Sequence, residues 1–217
     1  MSQGSEHLFT RAGASDGLRG LPRVHLASRS PRRRELLTSA GIEHDAASPG
    51  VDDGELSPGG VDPEQWVMAL AYLKAAAALR RRGEIDAPVV LGADTIVLHR
   101  GEVLGQPKDA EDARRMLVQM RSDEHDVLTG VALIDAHSDL REMFVDRALV
   151  SVGEISDEVI ERYVASGEWR GKAGAYNLSE RLAAGWPITY RGDAGTIMGL
   201  PVGKLVERLR AFAGRAA

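Results

Sequence analysis

The sequence predicts an α/β fold with a mixed central sheet flanked by helices, and three observations predict it. Apolar, β-branched runs such as "APVVLGADTIVLH" alternate with segments whose apolar residues recur at helical spacing, such as "KDAEDARRMLVQMRS". The elements follow in the order β-α-α-β-β-α-β-β-α-β-α, which is not the regular alternation of a βαβ array. A chain of 217 residues with 43% hydrophobic content can bury a good core in one domain.

Residues 1–20 ("MSQGSEHLFTRAGASDGLRG") are polar and rich in Gly and Ser, and read as a disordered leader. Residues 21–217 read as a single domain. It opens with the strand "RVHLAS", which runs through a tight turn into a helix with Ser30 as N-cap, Pro31 at the first helical position and Gly41 at the C-terminal cap. A Gly/Asp/Pro-rich loop, "SPGVDDGELSPGGVDP", leads to a helix from Pro63 to about Arg82, with Asp62 as N-cap, Gln65 three residues on and Gly83 at its end. The strand "APVVLGADTIVLH" is turned back by "RGE" into "VLG", and Asp109 caps the helix that follows. "HDVLTGVALIDAH" and "REMFVDRALVSVGEI" pair as long strands around "SDL". After them come a helix, "SDEVIERYVASGEW", and a glycine-rich loop, "RGKAGAYNL". A loop with short strands passes through "GLP" to the last helix, "VGKLVERLRAF".

Composition removes several classes of function. Without cysteine there are no disulfides, thiolate zinc sites or Cys nucleophile, which fits a cytoplasmic protein. No apolar run is long enough for a membrane span, and no signal-peptide core is present, so no membrane partner is expected. A net charge of −5, with no aromatic residues among the basic ones, argues against stable nucleic-acid binding. None of the six His residues lies in a Ser/His/Asp-type motif, which leaves activated water as the simpler nucleophile.

Four places carry unusual chemistry. Arg32, Arg33 and Arg34 fill the first turn of their helix, where the macrodipole is already positive. Three cations there make sense as an anion site, with free backbone N–H groups, guanidiniums suited to phosphate oxygens, and the hydroxyls of Ser28 and Ser30 in the approach; a solvated basic face is the alternative. Lys74 falls within the apolar arc of its helix, so it must snorkel or meet an anion. Asp94 is the one carboxylate in a strongly apolar strand, beside Thr95 and close to Gly92, and needs a cation, a metal or a donor network. The acidic loop "VDDGE", with Asp52, Asp53 and Glu55, can supply hard oxygen ligands, although acidic loops are usually just solvated.

Together these features ask for a polyanion. Arg32, Arg33 and Lys74 would hold phosphate charges, while Asp94, with Asp52 or Asp53, would hold a divalent metal or activate water. The residues alone reach metal-assisted hydrolysis of a phosphoanhydride.

"LASRSPRRREL", "ALAYLKA", "GADTIV", "GQPKD", "TGVAL", "GKAGAY" and "GLP", in that order, resemble the Maf family of nucleoside triphosphate pyrophosphatases from about Arg23 to the C-terminus. The resemblance implies a mixed α/β, Maf/ITPase-like fold with a deep nucleotide-binding cleft. It implies cleavage of a nucleoside triphosphate between the α and β phosphates, giving the monophosphate and pyrophosphate with Mg²⁺ or Mn²⁺. A homodimer is a further expectation, since members often pair. By the same resemblance, Ser28, Arg32 and Arg33 match phosphate-gripping positions and Lys74 the substrate lysine. Asp94 matches the carboxylate that accepts a proton from water, and Asp53 and Asp94 are the expected metal ligands. Arg32 and Thr95 match positions tied to base selectivity, and "GADT" points to the branch acting on dTTP and UTP rather than 7-methyl-GTP.

The chain departs from the family pattern at three of these points. Gln106 stands where the family usually has Lys, Asp53 where it has Glu, and Ser179 where a base-reading Gln is typical. The alternative reading is a catalytically weak nucleotide-binding member with a regulatory role in cell division.

Overall fold

The computed structural model describes residues 20–51, 56, 58–81 and 85–216, so the expected leader, apart from Gly20, lies outside the described residues. The elements are β1 (Val24–Ala27), α1 (Pro31–Ser39), β2 (His44–Ala47), α2 (Pro63–Leu79), β3 (Val89–His99), β4 (Glu102–Leu104) and α3 (Ala110–Met120). They continue with β5 (Asp123–Asp135), β6 (Arg141–Val152), α4 (Asp157–Ser166), α5 (Leu178–Ala183), β7 (Ile188–Arg191), α6 (Ala194–Met198) and α7 (Val202–Ala216). A single 3₁₀ turn, Ala173–Ala175, precedes α5.

The sheet runs β2-β1-β3-β5-β6-β7, with β4 paired to β3 off this path. β2, β1 and β3 are parallel, while β5, β6 and β7 each run antiparallel to the neighbour before them. The sheet is therefore mixed, as the element order implied.

Three local differences from the sequence expectation have physical causes. β2 stands where the sequence pattern assigned no element, because "HDAA" has weak strand propensity and is held by its parallel pairing with β1. α2 stops at Leu79, with Arg80 as its C-cap, short of Arg82; Gly83 lies outside the described residues. The glycine-rich and "GLP" segments hold the short helices α5 and α6, too brief to nucleate alone, each started by a capping side chain, Asn177 and Asp193.

Alternate residues of β3 face opposite sides of the sheet. On one side Val24, Leu26, Leu91 and Ala93 pack with α1 and with Leu205, Leu209 and Phe212 of α7. Farther along the same side, Val97, Val127 and Val150 pack under α3, α4 and the aromatic residues Trp169 and Trp186. The other side belongs to α2, whose Ala71, Ala75 and Ala78 lie on Val90 and Ala132. The helix sits unusually close there. A Cβ on Gly92 would come within 2.1 Å of the Ala71 carbonyl oxygen, and one on Gly130 within 2.5 Å of that of Val67. Only hydrogen at both positions allows this approach.

Candidate active site

The site begins with an interruption in the sheet. β5 pairs along nearly the whole of one edge of β3. β1 takes residues 89–91 of the other edge and β4 takes residues 97–99. Residues 92–96 between them have no strand neighbour on that edge among the described residues. A cleft of roughly 700 Å³, its open mouth included, occupies the place. Because it wraps around a free edge, it is lined by side chains from both faces of β3, Asp94 from the α2 face and Thr95 from the other.

One end of the cleft is polar. Ser30, Arg32 and Arg33 enter it from the start of α1, Lys74 from α2, and Asp94 from β3. Val97, Val127, Ala173, Tyr176 and Ile197, which belong to or pack on the α3/α4 core, form an apolar wall. A shallower extension adds Ser28, Arg29, Pro49, Val51 and Arg170 around the same arginines and Lys74.

Lys74 and Asp94 meet, one of the alternatives the sequence left open for each. Lys74 Nζ donates to Asp94 Oδ1 at 2.5 Å, and each side chain is 13% exposed. The lysine placed in an apolar arc thus finds its anion across the helix–sheet contact rather than snorkelling out.

The two arginines separate into different roles. Arg33 donates Nε to the Gly199 carbonyl at 2.8 Å, Nη1 to Ser28 Oγ at 3.2 Å and Nη2 to Thr95 Oγ1 at 3.1 Å. Thr95 Oγ1 lies 2.9 Å from Thr129 Oγ1, which donates to the Thr196 carbonyl at 2.7 Å. The proton directions follow. Thr95 accepts from Arg33 and donates to Thr129, so both hydroxyls are spent in one chain. Arg33 is a strut tying α1 to the Gly199 corner and to the centre of the sheet. Arg32 is half-buried in the same cleft and makes no hydrogen bond or ion pair with a described residue.

Of the remaining expected residues, Ser28 is buried and accepts from Arg33 and from the Ser30 amide at 3.1 Å. Gln106 is exposed and lines the cleft. Ser179 is not among the lining residues and donates instead to Asn177 Oδ1 at 2.7 Å. Asp53, like Asp52 and Glu55, lies outside the described residues, and no cluster of three or more His, Asp or Glu side chains suited to a metal occurs among the described ones.

Sequence reasoning missed Tyr176, Asn177 and Gly199, all in the cleft wall. The signal for Asn177 was present, since an Asn three residues before a Glu is a helix-start pattern. Tyr176 is placed by buried contacts the sequence does not show. Its hydroxyl lies 2.8 Å from His125 Nε2, and the Tyr163 hydroxyl donates to the Ala175 carbonyl at 2.9 Å. Burial lowers His125 to about 4, helped by the neighbouring His99, and raises the Tyr176 phenol, so the pair stays neutral.

A cleft that is cationic at a helix N-terminus, apolar along one wall and floored by a carboxylate on a mixed sheet is built for a nucleotide-like anion. The family model for Maf-like proteins matches residues 23–212, and the chain belongs to that family. It is 41% identical over 189 residues to a dTTP/UTP pyrophosphatase of Pelotomaculum thermopropionicum, covering 87% of this chain and 96% of that protein. It is also 41% identical over 197 residues to a dTTP/UTP pyrophosphatase of Burkholderia pseudomallei (88% and 93% covered). A third, from Hahella chejuensis, is 39% identical over 201 residues (91% and 96% covered). Among the described residues no helix is long and apolar enough to cross a membrane.

Proposed function

We propose that this chain is a nucleoside triphosphate pyrophosphatase that hydrolyses the α–β phosphoanhydride of a pyrimidine nucleotide, dTTP or UTP, to the monophosphate and pyrophosphate. The observation that carries the reading is the Lys74–Asp94 pair in the strand gap, with the Arg32 guanidinium, which makes no hydrogen bond or ion pair among the described residues, in the same cleft. The names of the relatives support the substrate class.

The triphosphate enters at the start of α1, where Arg32 and the first-turn amides meet its oxygens. Arg33 holds the α1 turn and the Gly199 corner in register for it. Lys74 neutralises Asp94. A phosphate within reach of Lys74 Nζ competes for that donor and leaves the carboxylate able to take a proton from water. The water oxygen then bonds to the α phosphorus, the bond to the bridging oxygen breaks, and pyrophosphate leaves with the electron pair.

A divalent cation suits the donors present, because Mg²⁺ is commonly held by one or two carboxylates together with substrate phosphates. Asp94 would be one ligand, and Asp53 follows closely on Val51, which lines the mouth of the cleft. When bound, such an ion neutralises charge on the phosphates.

The test is pyrophosphate release from dTTP, UTP, CTP, GTP and 7-methyl-GTP with Mg²⁺ or Mn²⁺, compared with the Asp94→Asn variant. The reading expects turnover of dTTP and UTP that the variant lacks. It is abandoned if no nucleotide turns over faster with the wild type than with the variant.

A further inference from the structure

Asn177 stands where the 3₁₀ turn passes into α5, is 4% exposed, and lines the cleft beside Tyr176. The turn before it is pressed onto the cleft's apolar wall, since a Cβ on Gly174 would lie 2.8 Å from Val97 Cγ2. Asn177 Oδ1 is engaged twice, by the Glu180 amide at 3.0 Å and by Ser179 Oγ at 2.7 Å. A backbone N–H can only donate, so the oxygen must face α5 and the amide cannot be turned over.

That leaves Nδ2 as a donor of fixed orientation. It makes no hydrogen bond to a described residue. Nor is it sealed in: the buried side-chain atoms without partners among the described residues are His99 Nδ1, His125 Nδ1 and Arg181 Nε. A side chain more than nine-tenths buried, with one half locked and the other open, in the wall of a ligand cleft, is a recognition group for an acceptor on that ligand.

We propose that Asn177 is a specificity-determining residue for the base, its Nδ2 donating to the 4-keto oxygen of uracil or thymine. The inference rests on the nucleotide reading of the cleft given above. With the triphosphate at the arginines and Lys74, the base lies along the apolar wall, and the 4-position is the edge remote from the glycosidic bond. Cytosine carries an amino group there, so donor would face donor, and one buried donor would be left unpaired. Ser179, turned into the cap, fixes Asn177 instead of reading the base itself.

Two variants separate these functions. Asn177→Asp keeps an oxygen for the Glu180 amide and Ser179 but converts the open donor into an acceptor. Asn177→Ser keeps a helix cap and removes the donor without adding charge. Calorimetry with the non-hydrolysable α,β-methylene analogues of UTP and CTP reads the preference, and tripolyphosphate, which lacks a base, reads the phosphate end alone. The wild type is expected to favour the UTP analogue by about tenfold or more. Asn177→Ser should bring that ratio near one, with tripolyphosphate affinity unchanged, and Asn177→Asp should tilt it toward the CTP analogue. Equal binding of the two analogues by the wild type, or a ratio that both variants leave intact, overturns the proposal. A wild type that shows the ratio but hydrolyses no nucleotide keeps this inference and removes the pyrophosphatase reading. If neither analogue binds, the inference fails with the nucleotide reading.

Discussion

Lys74 on α2 and Asp94 on β3 form an ion pair across the helix–sheet contact, 2.5 Å apart and 13% exposed on each side. Removing the cation leaves a carboxylate at the bottom of a cleft with its main neutraliser gone. Lys74→Met should therefore destabilise the fold by about 2 kcal/mol, less than for a fully buried pair because the cleft admits water. Asp94→Asn removes only the carboxylate's charge, but its amide oxygen can still accept from Lys74 Nζ, so the loss should be smaller, about 1 kcal/mol, while kcat falls by about a hundredfold or more. Urea unfolding together with steady-state kinetics on both variants checks the contrast. Equal stability losses would mean that the pair is not what keeps this carboxylate in the sheet.

Arg32 and Arg33 are adjacent in sequence, and the structure predicts opposite phenotypes for them. Arg33→Ala breaks three hydrogen bonds, to the Gly199 carbonyl, Ser28 and Thr95, at a cost of about 2–3 kcal/mol. Arg33→Lys should not restore that loss, because a lysine cannot reproduce the planar fork. Arg32→Ala should leave stability within about 0.5 kcal/mol and raise KM instead. Thermal melting separates the two before any assay is run.

Gln106 is exposed at the cleft and uncharged. Gln106→Lys adds a cation beside a highly charged ligand and should lower KM by about fivefold, the yield of one exposed ion pair. The gain should shrink as salt rises from 0.05 to 0.5 M, values chosen to span roughly 14 to 4 Å of Debye length. An unchanged KM at low salt would show that another group already supplies this charge.

His125 is buried and its imidazole is lowered to about 4. An unfolded chain protonates it near its ordinary value of 6.5, so between those two values the unfolded state binds more protons than the folded one. Stability is therefore unpenalised above about pH 6.5, falls as pH drops through that window, and levels off near pH 4, by roughly 3 kcal/mol in all. His125→Gln can keep a partner for Tyr176 and should flatten the slope between pH 7 and 4.5. Asp123, lowered to about 2 by His99 and Arg100, gives up its own contribution only in more acidic solution and does not obscure the result.

The elements that sequence pattern revealed are those whose own residues decide the outcome. β3, β5 and β6 are long and β-branched, and α2 and α3 carry Asp62 and Asp109 as side-chain caps. β2 was not legible, because its residues acquire strand geometry only from β1. In the site, Lys74 and Asp94 stood out as a misplaced cation and a misplaced carboxylate, and each is the solution to the other. Arg33 and Arg32 could not be told apart, because Gly199 is 166 positions away from Arg33 and nothing local distinguishes the two side chains. Asn177 was overlooked for a related reason. Its value lies in which half of the amide is occupied, and that depends on a helix of six residues which has no periodic signature of its own.

Gly92 and Gly130 never face the cleft, yet they fix how far apart its charges stand. By letting α2 sink onto the sheet they set the length that the Lys74 stem must bridge to reach Asp94. A larger residue at either position would raise the helix like a shim and lift the ammonium off the carboxylate, with both charged side chains intact. The dimensions of the charged site are thus gauged beneath α2, by two residues whose contribution is having no side chain.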